Sequence, residues 1–321
     1  MLQTYTVVGN KEDVDDKIYR VSPEETPFLS MIGRESVDAV SPEWQRDALR
    51  VPASNAAVEG ADATYAAQTQ PERLSNKTQI IQDTLSVTGT TDRIAKYGRD
   101  KESARLKAKK MVELKKDIEF AAIGNGAFVA GSAAVARQLR GLYGWCATNS
   151  TSNGAGAAPV IATNTAPVAG TLRAFTEALL TAQILSAYQQ GGKAEVLMVT
   201  PVHKQKVSTF TGNVTRFNDV SSKAVRLQTS FSVYGHDFGE TKIVPNRVMG
   251  QGVSVTNAGL VNTAYLIDAE QCKLGVLRPF SSTSLAKVGD ADNFQILTEV
   301  TLKVNEEKAL AAIRDLTATG A

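Results

Sequence analysis

The sharpest pattern in the chain lies near its end, where Phe294, Ile296, Val300, Leu302 and Val304 fall on even positions opposite Gln295, Glu299, Thr301 and Lys303. Period-two alternation sorts apolar and polar side chains onto opposite faces, so a long half-buried strand is predicted. Leu297 and Thr298 break the alternation once, marking a bulge or a patch covered on both faces. The run from Gly289 to Asn293 supplies the turn residues that open the strand.

From about 100 to 123 the period changes to 3.6, with Ala104, Met111, Leu114, Ile118 and Ala122 along one face. Lys101, Arg105, Lys109 and Lys116 gather on an adjacent edge that Glu119 shares, so this is a long amphipathic helix with a basic edge. Gly124, Asn125 and Gly126 end it. The edge reads as a solvated face or as a contact for nucleic acid. A second helix is expected over 172–188, carrying Leu172, Phe175, Leu179 and Ala182 and stopping at Gly191 and Gly192. Continuous or strand-like apolar runs at 196–199, 242–245 and 264–267 complete a central α/β module over about 160–275. The segment 146–170 reads as a long loop or a surface strand pair.

Toward the front, 44–51 and 74–88 read as extended, the second carrying Ile81, Leu85 and Val87 among polar neighbours. Between them 53–72 is small, polar and without helical period. The three together look like a long hairpin reaching away from the main body, because a compact domain has no use for so long a structureless loop. Ser22, Pro23 and Glu25 form a capping-box signal, but Pro27 limits any helix there to about one turn. An extended arm with one short turn is expected.

The 321 residues leave room for one large or two medium domains, and 43% hydrophobic with 21% charged is ordinary for a soluble globular chain. Lys plus Arg is 35 against 33 Asp plus Glu, a net charge of +2, so any DNA contact must come from a local stripe. Cys146 and Cys272 suggest no disulfide, and His203 and His236 have no metal-ligand spacing. No serine-hydrolase elbow or phosphate loop is present, and after Gly124 and Gly126 the third glycine of a dinucleotide fingerprint is replaced by Val129. His203 follows an apolar strand, where α/β enzymes place catalytic groups, but it reads as a surface histidine at a helix start beside Lys204 and Lys206. Asp290 and Asp292 read as turn residues. No catalytic, cofactor or metal residues are therefore assigned. The first residues lack a secretory signal, so the protein is expected to be made in the cytosol, and the uncharged stretches 120–136 and 141–172 are too broken by polar residues to enter a membrane.

Several segments together resemble one family: Asp16 to Ile18 with Ser22 to Leu29, Asn76 to Thr84, Glu113 to Glu119, Val244 to Arg247, Leu277 to Phe280, Ala286 to Asp290, and Asn305 to Ala309. In that order, spanning about 14 to 310, they are similar to the major capsid (major head) proteins of tailed bacteriophages with the Hong Kong 97 type fold. The resemblance implies an α+β chain: an N-terminal arm over 1–40, an extended β-hairpin loop over 41–90, a peripheral domain with the long spine helix over 91–149, an α/β axial domain over 150–275, and a return to the peripheral β-strands over 276–321.

It further implies a non-enzymatic subunit that self-assembles as hexamers and pentamers into an icosahedral shell around double-stranded DNA held by non-specific contacts. The shell would be part of the virion, assembled in the host cytoplasm with a portal protein. The chain lacks the long N-terminal scaffolding segment of some relatives, so a separate scaffold or none is expected, and no Lys, Asn and Glu crosslinking set can be matched. Glu59, Asp62, Glu72 and Arg73 of the hairpin are expected at intersubunit contacts, and the basic edge Lys101, Arg105, Lys109 and Lys116 toward the shell interior or a neighbour. The competing readings are an encapsulin-like compartment and an α/β hydrolytic enzyme centred on His203.

Overall fold

Pro27–Met31 (α1) is the first described helix, and Gly33–Ser36 (β1) follows it. The structure, a computed structural model, describes residues 24–60, 62, 65, 67–97, 101–210, 232–250, 257–287 and 289–318. The expected arm before Glu24, with its Ser22 and Pro23 cap, lies outside these residues, as do four positions of the hairpin tip. Pro27 does not cut a helix short. It starts one at the first position, where its fixed φ is already helical and no amide is needed.

Glu43–Arg46 (β2) and Glu72–Ser75 (β3) pair antiparallel, with Trp44 opposite Leu74 and Arg46 opposite Glu72. This is the expected hairpin, but shorter than expected. Asn76 breaks the extended run: its Nδ2 donates to the carbonyls of Arg140 (3.0 Å) and Leu302 (2.7 Å), while its Oδ1 accepts the Arg140 amide. Gln79–Thr88 (β4) is thereby turned into the main body, so most of 76–90 belongs to a sheet and not to the hairpin loop.

Gly89–Arg93 (α2) leads to the long helix Glu102–Gly124 (α3), then to Leu142–Trp145 (α4), Ser150–Thr151 (β5) and Glu177–Gln189 (α5). The last starts later than expected. Thr176 caps it by accepting the Leu179 amide, while Arg173 is held in a bridge with Leu316. Within 146–170, Ala157 pairs Val168 and Val160 pairs Thr165, a surface strand pair. Val196–Val199 (β6), Pro201–Val207 (α6), Val233–His236 (β7), Gly239–Pro245 (β8), Ala258–Val261 (α7) and Ala264–Ile267 (β9) follow. Cys272–Ser284 (β10), Ala291–Val304 (β11) and Ala311–Ile313 (β12) complete the described elements.

Two sheets organise the chain. One has the order β1-β10-β11-β4, with α3 packed on β4 and β11; the other has the order β5-β12-β9-β6-β8-β7. A core containing Phe28, Leu114, Ile118, Trp145 and Val300 extends to Met198 and Tyr265 of the second sheet, so the two share one seam. A second core, around Leu180, Ile184, Leu197 and Ile313, lies beneath α5. The strand order departs from the expected boundary at 276: β10 crosses it, and β12 joins the second sheet between β5 and β9.

The break in alternation at Leu297 and Thr298 comes from cover on both faces and not from a bulge in β11, whose register with β4 runs unbroken from Ala291 to Val300. The extra residues sit on the partner strand, where the register slips between Val276, Arg278 and Ser281, and β11 is buried on both faces from Thr298 to Leu302. The long helix buries only part of the face its period suggested. Ala104 and Met111 are exposed, while Leu114, Ile118 and Ala122 are buried.

Candidate assembly surface

The hairpin is fastened at its base and bare at its tip. Trp44 Nε1 donates to the carbonyl of Val304 at 2.9 Å, and its ring lies 5.6 Å from that of Trp145. Arg46 pairs with Glu72 across the hairpin at 2.7 Å and with Glu306 (3.2 Å) and Glu307 (3.4 Å) of the body. Burial works against the Arg46 charge, but these three carboxylates outweigh it and raise its pKa. Glu307 is itself buried and also accepts the amide (3.1 Å) and hydroxyl (2.6 Å) of Thr148. The hairpin therefore leaves the body at a defined place, where the two sheets meet.

Beyond this base the chain carries large apolar side chains that touch no core. Leu49 is 99% exposed, Val51 82%, Val58 79% and Tyr65 98%. Single exposed hydrophobics are normal on any surface, but four on one projecting loop are apolar area that a partner would cover. Sequence reasoning passed over them because their neighbours are small and polar. The available signal was the Leu49 and Val51 pair, two apolar residues at strand spacing inside a stretch already placed outside the core.

The tip residues Glu59 and Asp62 are exposed. Glu72 and Arg73 stand at the base, and each has a partner within the chain: Glu72 pairs Arg46, and Arg73 pairs Glu43 at 3.3 Å.

On the long helix, Lys101 is exposed at the N-cap and Lys116 is half-buried, adjoining Asp117. Arg105 bonds Glu102, and Lys109 lies 3.6 Å from Glu113. Each of the two middle cations thus has an acid on its own helix, which weakens the edge as a stripe of positive charge. Glu119 does not belong to that edge. It is fully buried, accepts the amides of Phe28 and Leu29 at 2.9 Å each and of the Asn246 side chain at 2.7 Å, and so caps α1 from another element. Burial pushes its pKa up against the pull of these donors.

His203 is 1% exposed, which corrects its expected surface position. It sits one turn into α6 with Nε2 3.0 Å from the carbonyl of Thr317 and its ring edge-on to Phe175, and burial pushes its pKa down. Its side chain has neither a nucleophile nor a carboxylate among the partners found. Among the described residues no three His, Cys, Asp or Glu side chains converge as a metal site, and no helix is long and apolar enough to cross a membrane. The features that stand out among the described residues are a projecting apolar hairpin and open sheet edges.

Known proteins share this fold. The model of the family described as SU10 major capsid protein matches residues 1–317. The major capsid protein of Escherichia phage Phieco32 is 27% identical over 339 aligned positions, covering 94% of this chain and 92% of that protein. Among solved structures, the capsid asymmetric unit of cyanophage A-1(L) superposes with a TM-score of 0.65 at 14% identity, covering 98% of this chain and all of that one. The SrpI encapsulin of Synechococcus elongatus PCC 7942 gives 0.54 at 12% identity, over 97% and 94% of the two chains. With the Hong Kong 97 type fold in place and nearly the full length matched, the chain belongs to the SU10 major capsid protein family.

Proposed function

We propose that copies of this chain associate as hexamers and pentamers and close into the icosahedral head of a tailed bacteriophage, enclosing double-stranded DNA, with each hairpin laid over a neighbouring copy. The observation that carries the proposal is the set Leu49, Val51, Val58 and Tyr65, nearly bare on a loop whose base is rigidly seated. At roughly 1.5–3 kcal/mol for each such side chain buried, the four offer on the order of 6–12 kcal/mol per hairpin before ordering costs. Glu59 and Asp62 add exposed charges for the same contact, each worth little alone. Glu72 and Arg73 contribute by stiffening the base through their in-chain pairs.

The basic edge Lys101, Arg105, Lys109 and Lys116 faces the interior or a neighbour, and DNA is held there without sequence preference. A separate scaffold and a portal direct closure in the host cytoplasm. The subunit is not an enzyme: buried His203, held by a backbone carbonyl, has a structural role. The shared fold makes an encapsulin-like compartment the competing shell, while the family match and the phage relative favour the head. Electron microscopy of concentrated protein should show closed megadalton shells. A monomer or dimer at high concentration would refute the shell, and shells recovered from host cells with protein cargo and no DNA would favour the compartment.

A further inference from the structure

A groove of about 410 Å³ runs along the outer edge of β4 where α3 ends. Gln79, Ile80, Gln82, Asp117, Phe120 and Asn125 are among its walls. Two of them are large apolar side chains left open, Ile80 at 45% and Phe120 at 37% exposure. Among the described strands β4 is the outermost of its sheet, so its far edge is a template for one more strand. Its burial alternates: Ile81, Leu85 and Val87 face the helix and core, and Ile80 and Gln82 face away. Asp83, on the helix side, meets Lys110 at 2.8 Å, and Lys110 also reaches Glu113 at 3.1 Å. Lys109 also lies 3.6 Å from Glu113, whereas Asp117 makes no ion pair among the described residues; its pKa is raised first by burial and then by Asp83 and Glu113, against the more distant pull of Lys116 and Lys110. The groove is apolar on one side of the strand and on the other holds the Asp117 carboxylate, which has no ion pair among the described residues.

The hairpin carries the complementary order. Leu49, Arg50 and Val51 are exposed and consecutive, apolar–basic–apolar, and among the described residues Arg50 reaches only the carbonyl of adjoining Val51, at 3.5 Å. An added strand places i and i+2 on one face and i+1 on the other. We propose that the Leu49-Arg50-Val51 segment of a neighbouring copy adds to the edge of β4, with Leu49 and Val51 flanking Ile80 and Arg50 meeting Asp117 and Asp83. The inference rests on the hairpin-over-neighbour reading and names where the hairpin lands.

The test is a charge exchange in the full chain. Arg50→Glu alone and Asp117→Arg alone should each fold, by circular dichroism, and lose closed particles in sedimentation. The double variant should recover them. A double variant no better than the worse single one overturns the landing site. Should a reversal misfold, particles bearing Val51→Cys and Ile80→Cys with the charges intact keep the question open to measurement: oxidation should link copies into a ladder on a denaturing gel, and its absence overturns the proposal equally. Replacing 48–70 by a short Gly-Ser linker separates the two readings. Shells from that variant would sink the hairpin reading itself, whereas lost shells together with a failed exchange would leave that reading standing and only the landing site wrong.

Discussion

Glu119 Oε1 accepts the backbone amide of Phe28 at 2.9 Å across 91 positions of sequence, and Oε2 accepts that of Leu29. The N-terminus of α1 is thus capped from the C-terminal third of α3, and Phe28 is locked fully buried in the core. Glu119→Ala leaves the buried amides of Phe28 and Leu29 without an acceptor and the Asn246 side chain with the weaker Met198 Sδ at 3.4 Å. At about 1–3 kcal/mol for each unsatisfied group, a loss on the order of 3 kcal/mol or more is expected in urea unfolding. An effect below about 0.5 kcal/mol, the range of ordinary surface changes, would contradict the cap.

Glu299 makes the acid limb of stability predictable. Burial pushes its carboxyl up, but the Thr78 hydroxyl at 2.7 Å, Arg278 at 2.8 Å and the adjoining Arg137 outweigh burial and hold its pKa below the ordinary value of 4.5. A carboxyl with a depressed folded-state pKa stabilises fully above the unfolded value, and that stability is lost as pH falls through the folded value. Glu299→Gln should destabilise at neutral pH by about 2 kcal/mol and flatten the decline of stability below about pH 4.5. Parallel acid limbs in the two proteins would show that another group controls it.

The hairpin side chains should matter to assembly and not to folding. Changing Leu49, Val51, Val58 and Tyr65 together to Ser leaves every core contact in place, so the thermal midpoint of the isolated subunit should be almost unchanged. Particle formation should be lost in light scattering. A large drop in the midpoint would mean that the four serve the subunit's own core.

Cys146 and Cys272 are both buried and free. Burial pushes the Cys146 thiol up to about 12 and the Cys272 thiol higher still, so neither presents a thiolate at neutral pH. Native particles should resist a thiol-labelling reagent that modifies both cysteines after unfolding. Cys→Ser at either site buries a hydroxyl at a cost of about 1–3 kcal/mol, so Cys→Ala is the cleaner test that reduced thiols play no part in assembly. Rapid labelling of the native protein would contradict this environment.

What the sequence disclosed depends on the distance over which each feature is determined. β11 and α3 follow from periodicity within one element, and both emerge nearly at their expected bounds. The buried half of α3 was not legible at Ala104 and Met111, because what lies over a helix face is decided by other segments. Glu119 looked like one more charge on a solvated edge, since its partners Phe28 and Asn246 are far away in sequence. The same reason hid His203, whose cover comes from Phe175 and Thr317. The hairpin was visible from two extended flanks around a featureless middle. Its adhesive part was not, because Leu49, Val51, Val58 and Tyr65 are spaced irregularly and have no core to betray them.

The seating of the hairpin also sets a clock. Its strands are made early, yet the groups that aim it, the Val304 carbonyl and the Glu306 and Glu307 carboxylates, are made late. β1 likewise waits for β10, Gly33 opposite Lys273, and β5 waits for β12, Ser150 opposite Ala312. Such long-range pairing is slow, and it leaves a growing chain with an unaimed hairpin and two unfinished sheets. Competence to join a shell therefore arrives only once residues 304–313 are in place.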